Sequence, residues 1–122
     1  DITVVGSGFS TQLSLETATE LEASNISAEV IDIRTLNPFK VDLILESVKK
    51  TNRLVVIDGG TRNVSFAAEV ISSVAENSDP NSFKAKPIRI TLCDAPAPTS
   101  KKLEETYYPT VDTIIETIKK SI

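Results

Sequence analysis

Two glycines between an apolar run and a helical pattern are the first residues here that could do chemistry. Gly6-Ser7-Gly8 follows Ile2-Thr3-Val4-Val5, and Asp32 ends the next apolar run. Glycines at such a turn let a pyrophosphate approach the backbone, and the later carboxylate can bind a ribose. Thr11, however, stands where close helix–strand packing favours glycine or alanine. A dinucleotide site and a plain tight turn are both open, and the residue types favour the turn.

A second candidate site follows the third apolar run, at Asp58-Gly59-Gly60-Thr61-Arg62. Open α/β sheets bind ligands where strands end, and a guanidinium can hold a carboxylate or phosphate through two hydrogen bonds. A ligand site and an ordinary turn with a solvated arginine explain this segment equally well.

A third candidate is the stiff segment after the fourth apolar run, which contains Asp94, Pro96 and Pro98. Prolines rigidify a loop at low entropic cost, which suits a docking surface or a channel wall. An ordinary connection is the alternative, and the residue types slightly favour it. Cys93, the sole cysteine, is expected to be a buried apolar residue, because no histidine is available to activate it.

Composition narrows the classes of function. The 122 residues carry a formal net charge of −4 without a basic cluster, so nucleic acid is not an expected partner. No apolar run approaches the ~20 residues of a membrane span, so no membrane is expected either. The missing histidine removes the commonest general base and zinc ligand. We expect one domain over 1–122 with no catalytic or metal site of its own.

Apolar periodicity alternates between strand and helix along the chain. Strands are expected at about 2–5, 28–33, 54–57 and 88–92. Helices are expected at about 10–23, 41–48, 63–76, 102–107 and 111–122, with Ser10 as the first N-cap. Strands alternating with helices form right-handed βαβ units. The sequence therefore predicts an α/β fold whose parallel sheet is covered on both faces.

The third helix is predicted to have two apolar stripes. A surface helix needs only one, so the second predicts burial against another chain or domain, although a wide core face is the alternative. One stripe contains Val64, Ala67, Ala68, Ile71 and Ala75, and the other contains Phe66, Val70 and Val74.

Taken together, these segments resemble the transketolase C-terminal domain, and most nearly that of 2-oxoacid dehydrogenase beta subunits of the pyruvate type. The resemblance spans essentially the whole chain. The segments that carry it, in order, are 26–38, 47–55, 67–70, 94–98, Leu103-Glu104, Pro109 and Val111.

The resemblance implies a three-layer α/β/α fold with a mostly parallel sheet of four to five strands. It places thiamine diphosphate and Mg in the parent enzyme, between an alpha subunit and the beta subunit's N-terminal domain, and not on this domain. An antiparallel edge strand would precede Asp1. The chain also has no methionine and enters a strand at once, so we expect it to be a fragment without the N-terminal catalytic domain.

The implied role is structural, inside an enzyme that decarboxylates a 2-oxoacid and passes the acyl group to a lipoyl arm. The implied partners are an alpha subunit, a second beta subunit and a lipoyl acyltransferase core. The implied compartment is the bacterial cytoplasm or, in a eukaryote, the mitochondrial matrix. The residues expected at subunit contacts are Gly59, Gly60, Arg62, Phe66, Glu69 and Val70. Those expected on a loop facing the active site or a docking partner are Asp94, Pro96 and Pro98.

Two stretches depart from the pattern of pyruvate-type beta subunits. Thr61 to Phe66 replaces an aromatic-proline and Gly-Val-Gly segment, and Pro98-Thr99-Ser100 replaces Pro-Tyr-Ala. The 2-oxoacid therefore stays open, and the parent could be another transketolase-like enzyme.

Overall fold

Four strands and five helices alternate along residues 1–122, all of which the computed structural model describes. The strands are β1 (Ile2–Gly6), β2 (Ala28–Asp32), β3 (Leu54–Thr61) and β4 (Ile88–Leu92). The helices are α1 (Phe9–Glu22), α2 (Asp42–Thr51), α3 (Phe66–Glu76), α4 (Lys101–Tyr107) and α5 (Val111–Lys119), with a 3-10 turn at Pro80–Ser82.

The strands form one sheet in the order β2-β1-β3-β4, and every pairing is parallel. Ile2 lies opposite Ala28 and Gly6 opposite Asp32, so β1 and β2 end together. The predicted α/β architecture, three layers around a parallel sheet, is confirmed with four strands.

Two apolar cores, one on each face of the sheet, hold the layers together. Alternation along β3 sends Leu54 and Val56 to the core under α2 and α3, and Val55 and Ile57 to the core under α1 and α5. Because each face of the central strands is covered, β1 is buried at every position. This double burial explains the continuous apolar runs in the sequence.

Helix α1 packs on the sheet through small polar residues. Its buried positions are Ser10, Ser14, Thr17 and Leu21. A Cβ added to Gly6 would lie 2.8 Å from the backbone of Ser10, so only glycine permits this close approach. Helix α1 begins at Phe9, with Gly8 at the N-cap position. The prediction that Ser10 is the N-cap is therefore wrong.

The amino end of the sheet contains a buried network of hydroxyl groups beneath α2. The Thr3 hydroxyl lies 2.7 Å from that of Ser47 and 2.8 Å from that of Thr51. The Ser47 hydroxyl also donates to one carboxylate oxygen of Glu29 at 2.7 Å, and Lys50 donates to the other at 2.9 Å. These bonds link β1, β2 and α2 and hold the pKa of Glu29 below its usual value, the Ser47 hydrogen bond being the largest cause and Lys50 the next.

Three local expectations are wrong. Strand β3 continues through Asp58-Gly59-Gly60 instead of ending there, with a break in register between Ile57 and Thr61. Helix α3 begins at Phe66, which leaves Val64 in the preceding loop. Cys93 is exposed, because it follows the last residue of β4 and lies outside both apolar cores.

None of the helices has both the length and the apolar character that crossing a bilayer requires.

Candidate subunit interface at the carboxyl edge of the sheet

Two of the candidate sites, residues 58–62 and residues 94–98, lie side by side at the carboxyl edge of the sheet. Thr61 at the end of β3 lies opposite Leu92 at the end of β4. The loop that begins with Arg62 and the loop that contains Asp94 therefore leave the sheet side by side. Parallel pairing produces this proximity, because parallel strands present their carboxyl ends at the same edge.

Asp58 holds the β3–α3 loop in place. One carboxylate oxygen accepts a hydrogen bond from the Gly60 amide at 2.9 Å, and the other accepts one from the Ala67 amide at 2.8 Å. The second bond satisfies an amide in the first turn of α3, where a negative charge also complements the helix dipole. Ser65 caps the same helix by accepting from the Ala68 amide at 3.2 Å. The loop is thus fixed by its own polar groups.

Gly59 and Gly60 lie in extended backbone and leave part of this surface without side chains. A Cβ added to Gly59 would meet no atom within 4 Å, and one added to Gly60 would meet only the Asp58 side chain at 3.3 Å. Neither glycine has a positive φ. The effect of both glycines is therefore to leave space on this surface.

Val64 is the most unusual residue of the loop. Its side chain is fully exposed, and its φ of 52° lies in the left-handed region. A β-branched residue is rarely found there, because its Cβ crowds the following carbonyl. The loop therefore holds an apolar side chain in water at a cost in backbone strain. Sequence periodicity placed Val64 on the helix and missed this role.

The three expected contact residues of α3 differ in their surroundings. Val70 is completely buried in the chain's own core, so it supports the helix from below and offers no surface to a partner. Glu69 is exposed and accepts a hydrogen bond from the Ser73 hydroxyl at 3.3 Å. Phe66 is half-buried against Phe39, with ring centroids 5.4 Å apart in an edge-to-face arrangement. Phe66 and Glu69 remain available at the surface.

The loop that contains Asp94, Pro96 and Pro98 is tethered by α4. The Tyr107 hydroxyl donates a hydrogen bond to the Ala95 carbonyl at 2.8 Å. Desolvation raises the pKa of Tyr107, with smaller contributions from Cys93 and Tyr108. Asp94 and Pro96 are exposed.

The glycine turn after β1 has a structural explanation that needs no ligand. Gly8 has a φ of 57°, which glycine adopts without strain. The Thr11 hydroxyl donates to Asp32 at 2.7 Å, and the Arg34 guanidinium lies 4.0 Å from the other carboxylate oxygen. The carboxylate that a ribose would need is thus already engaged, so the geometry favours the tight turn over the dinucleotide site.

The chemistry available at this edge is that of a contact surface. The structure brings together no group of three or more His, Cys, Asp or Glu side chains that could hold a metal. The edge instead presents an exposed valine, an arginine, a glutamate and a proline-stiffened loop. Both loops are fixed by hydrogen bonds within the chain, so the surface is preorganised for binding.

Comparison with known proteins gives this surface a family context. Residues 1–114 match the family model described as the transketolase C-terminal domain. The pyruvate dehydrogenase E1 component subunit beta of Caenorhabditis elegans mitochondria is 35% identical over 121 residues, which are 99% of this chain and 34% of that protein. The subunit beta of Rickettsia felis is 37% identical over 120 residues, or 98% of this chain and 36% of that protein.

Among solved structures, a split-gene transketolase described as an inactive beta4 tetramer shares the fold with a TM-score of 0.82. Its sequence is 25% identical to this one, and the match covers 99% of this chain and 38% of that chain. The chain thus spans about a third of the length of the relatives that it matches.

Proposed function

This chain belongs to the transketolase C-terminal domain family, and from that premise we propose that it is the assembly and partner-docking domain of a 2-oxoacid dehydrogenase beta subunit, of the pyruvate type. The observation that carries the proposal is the identity of 35% to a pyruvate dehydrogenase beta subunit across 99% of this chain. A preorganised surface without a set of catalytic groups agrees with an assembly role.

The parent enzyme would use thiamine diphosphate with Mg to decarboxylate a 2-oxoacid oxidatively and transfer the acyl group to lipoyl. This chain brings no three possible side-chain ligands together, and the metal would lie on other domains of the parent enzyme. We therefore assign no step of that reaction to them. Their contribution would be to hold the subunits that do contain the cofactor in register.

The partners would be an alpha subunit and a second beta subunit, with the lipoyl acyltransferase core as a further candidate. Gly59, Gly60, Arg62, Phe66 and Glu69 would make the subunit contacts, with Val64 inserted into a partner's apolar pocket. A strained, exposed valine is stable in water only at a cost, and burial of its side chain would recover part of that cost.

The loop of Asp94, Pro96 and Pro98 would face either the active site of the parent enzyme or a docking partner. The Tyr107 tether supports this role, because it keeps the loop rigid before binding. The enzyme would work in the cytoplasm of a bacterium or in the mitochondrial matrix of a eukaryote.

The test uses the longer protein that contains residues 1–122, produced together with its alpha-type subunit. Reduction of an artificial electron acceptor is measured with thiamine diphosphate, first on pyruvate and then on branched-chain 2-oxoacids. We expect turnover, and we expect deletion of residues 1–122 to abolish assembly as measured by light scattering. Turnover with an unassembled deletion variant would contradict the division of labour.

A second measurement distinguishes a 2-oxoacid dehydrogenase from another transketolase-like enzyme. If the assembled, cofactor-loaded complex turns over no 2-oxoacid, it is assayed for ketol transfer between sugar phosphates. Activity there would make the parent another transketolase-like enzyme and would leave the assembly role of this domain in place.

A further inference from the structure

One lateral edge of the sheet has no neighbouring strand. Strand β4 is hydrogen-bonded to β3 only, so its other side faces away from the sheet. Its sequence, Ile-Arg-Ile-Thr-Leu, is rich in strand-forming residues and contains a single charge. The opposite edge strand, β2, has both Glu29 and Asp32. Edges that stay free in solution usually carry such charges, so β4, with Arg89 alone, is the less protected of the two edges.

A groove runs beside this edge, between β4 and the outer side of α3. It consists of two adjoining cavities of about 570 and 560 Å³, which share Ile71, Ala75 and Pro87 as an apolar floor. Phe83 extends the floor at the end near the 3-10 turn. Ile71 is partly buried against the core and Ala75 is exposed, so part of the apolar surface of α3 lies along this groove.

The rim of the groove is positively charged, although the chain as a whole is acidic. Arg62, Lys84, Lys86 and Arg89 line the two cavities, and no Asp or Glu does. None of the four cations is within 4.0 Å of a carboxylate. Arg89 is oriented across the groove by its hydrogen bond to the Arg62 carbonyl at 2.9 Å. Four unpaired cations around an apolar floor define the chemistry of what would bind there.

We propose that this groove binds an acidic, extended segment of another protein, which adds a strand to β4. Its backbone would pair with the free side of β4 from Ile88 to Leu92, in the manner of other strand-addition complexes. Apolar side chains on one face of the segment would contact Ile71, Ala75 and Pro87. Carboxylates would pair with the cations of the rim.

The positive charge of the rim favours an acidic segment over a second copy of this chain as the bound partner. A second copy of this chain that paired β4 with β4 would bring two sets of the same four cations together, and like charges in an interface oppose association. An acidic segment removes that repulsion and neutralises the rim. The proposal is separable from the assembly role, because Arg62 is the one residue that the groove shares with the proposed subunit contacts.

The test uses the chain of residues 1–122 and a capped peptide of about eight residues that alternates valine with glutamate. Binding is followed by backbone amide chemical shifts in NMR at low and at high salt. We expect the shifts to concentrate on Ile88–Leu92 and α3, and we expect added salt to weaken binding. The control peptides alternate valine with lysine, or carry a proline in the middle that removes a backbone donor.

Two double variants with the same net charge separate the groove from general electrostatics. Lys84→Glu with Lys86→Glu reverses charges on the rim, and Lys101→Glu with Lys102→Glu reverses exposed charges outside it. We expect the first to weaken binding at least about tenfold and the second to change it less than about threefold.

Several results would overturn the proposal. Absence of binding at about 1 mM peptide, the weakest affinity of interest, would do so. Equal binding of the proline-interrupted peptide would show charge attraction without strand pairing. Concentration-dependent shifts of β4 in the chain alone would place a second copy on the edge. None of these results bears on whether the longer protein assembles or turns over a 2-oxoacid.

Discussion

Gly6 and Gly59 differ in the space around them, and that difference yields a matched pair of variants. A Cβ at Gly6 would press on the backbone of α1 at 2.8 Å, whereas one at Gly59 would meet nothing within 4 Å. We expect Gly6→Ala to lower the free energy of unfolding by about 3 kcal/mol, because backbone cannot yield as a side chain can. Gly59→Ala should change it by less than about 0.5 kcal/mol. Urea unfolding of both variants measures the difference.

A larger substitution at Gly59 tests the interface. If Gly59 faces a subunit, Gly59→Leu should leave the isolated chain stable and weaken assembly of the longer protein. Equal stability and unchanged assembly would remove Gly59 from the proposed contact.

Glu29 gives the chain a pH-dependent contribution to stability. Because hydrogen bonds from Ser47 and then Lys50 lower its folded pKa below the usual value of a glutamate, the ionised form stabilises the fold. That contribution is complete above the unfolded pKa and is lost as pH falls through the lower folded pKa. We expect Glu29→Gln to cost about 1 kcal/mol or less at pH 7, since the side chain is 42% exposed, and almost nothing below the folded pKa.

Urea unfolding at neutral and at strongly acidic pH measures this contribution. Glu105→Gln is the matched control, because Glu105 is exposed and is in no salt bridge. A Glu29→Gln deficit of the same size at both pH values would show that packing, and not ionisation, explains the loss.

At the scale of elements, the β3–α3 loop combines strain with exposure at Val64. Asparagine tolerates the left-handed region better than valine, so Val64→Asn should raise the free energy of unfolding of the isolated chain by up to about 1 kcal/mol. The same change should weaken assembly of the longer protein, because the apolar side chain is lost.

Val64→Ala separates the two effects. Alanine keeps a Cβ in the left-handed region and removes most of the apolar contact, so stability should change little while assembly still weakens. Assembly that survives both substitutions would exclude Val64 from the interface.

Helix α5 shows how the far end of the chain becomes part of one cooperative unit. Ile114 and Ile118 are completely buried in the core that α1 also covers. Helix α5 begins with a capping box, in which the hydroxyl of each of Thr110 and Thr113 accepts a hydrogen bond from the other's backbone amide. This motif fixes where the helix begins. The family match ends at residue 114. Ile118 lies beyond the matched residues and still packs in the core.

For the molecule as a whole, we expect Ile118→Ala to destabilise the entire domain by about 3 kcal/mol, because it leaves a cavity between α5 and the sheet. Ile122→Ala is the control, since Ile122 is half exposed. Circular dichroism should report helix loss, and the fluorescence of Tyr107 and Tyr108 should report the region of α4. Coincident transitions are expected of one cooperative unit. Separate transitions would show that α4 and α5 unfold independently of the sheet.

The sequence by itself determined the kind and order of the elements and the parallel sheet. Those features depend on local periodicity and on the order of the elements, since strands joined through helices pair in parallel. Both can be deduced from the sequence. The ordered segments that resemble the transketolase C-terminal domain could also be recognised, because the family match needs only the sequence.

Only the tertiary structure decided which surfaces face inward. Val70 was expected at a partner and is in the core, Cys93 was expected in the core and is exposed, and the polar Ser14 is buried. Each outcome depends on which distant elements pack over a residue, and periodicity carries no information about that. The groove beside β4 arises in the same way, since Arg62 and Arg89 come to line one cavity only when β3, α3 and β4 assemble.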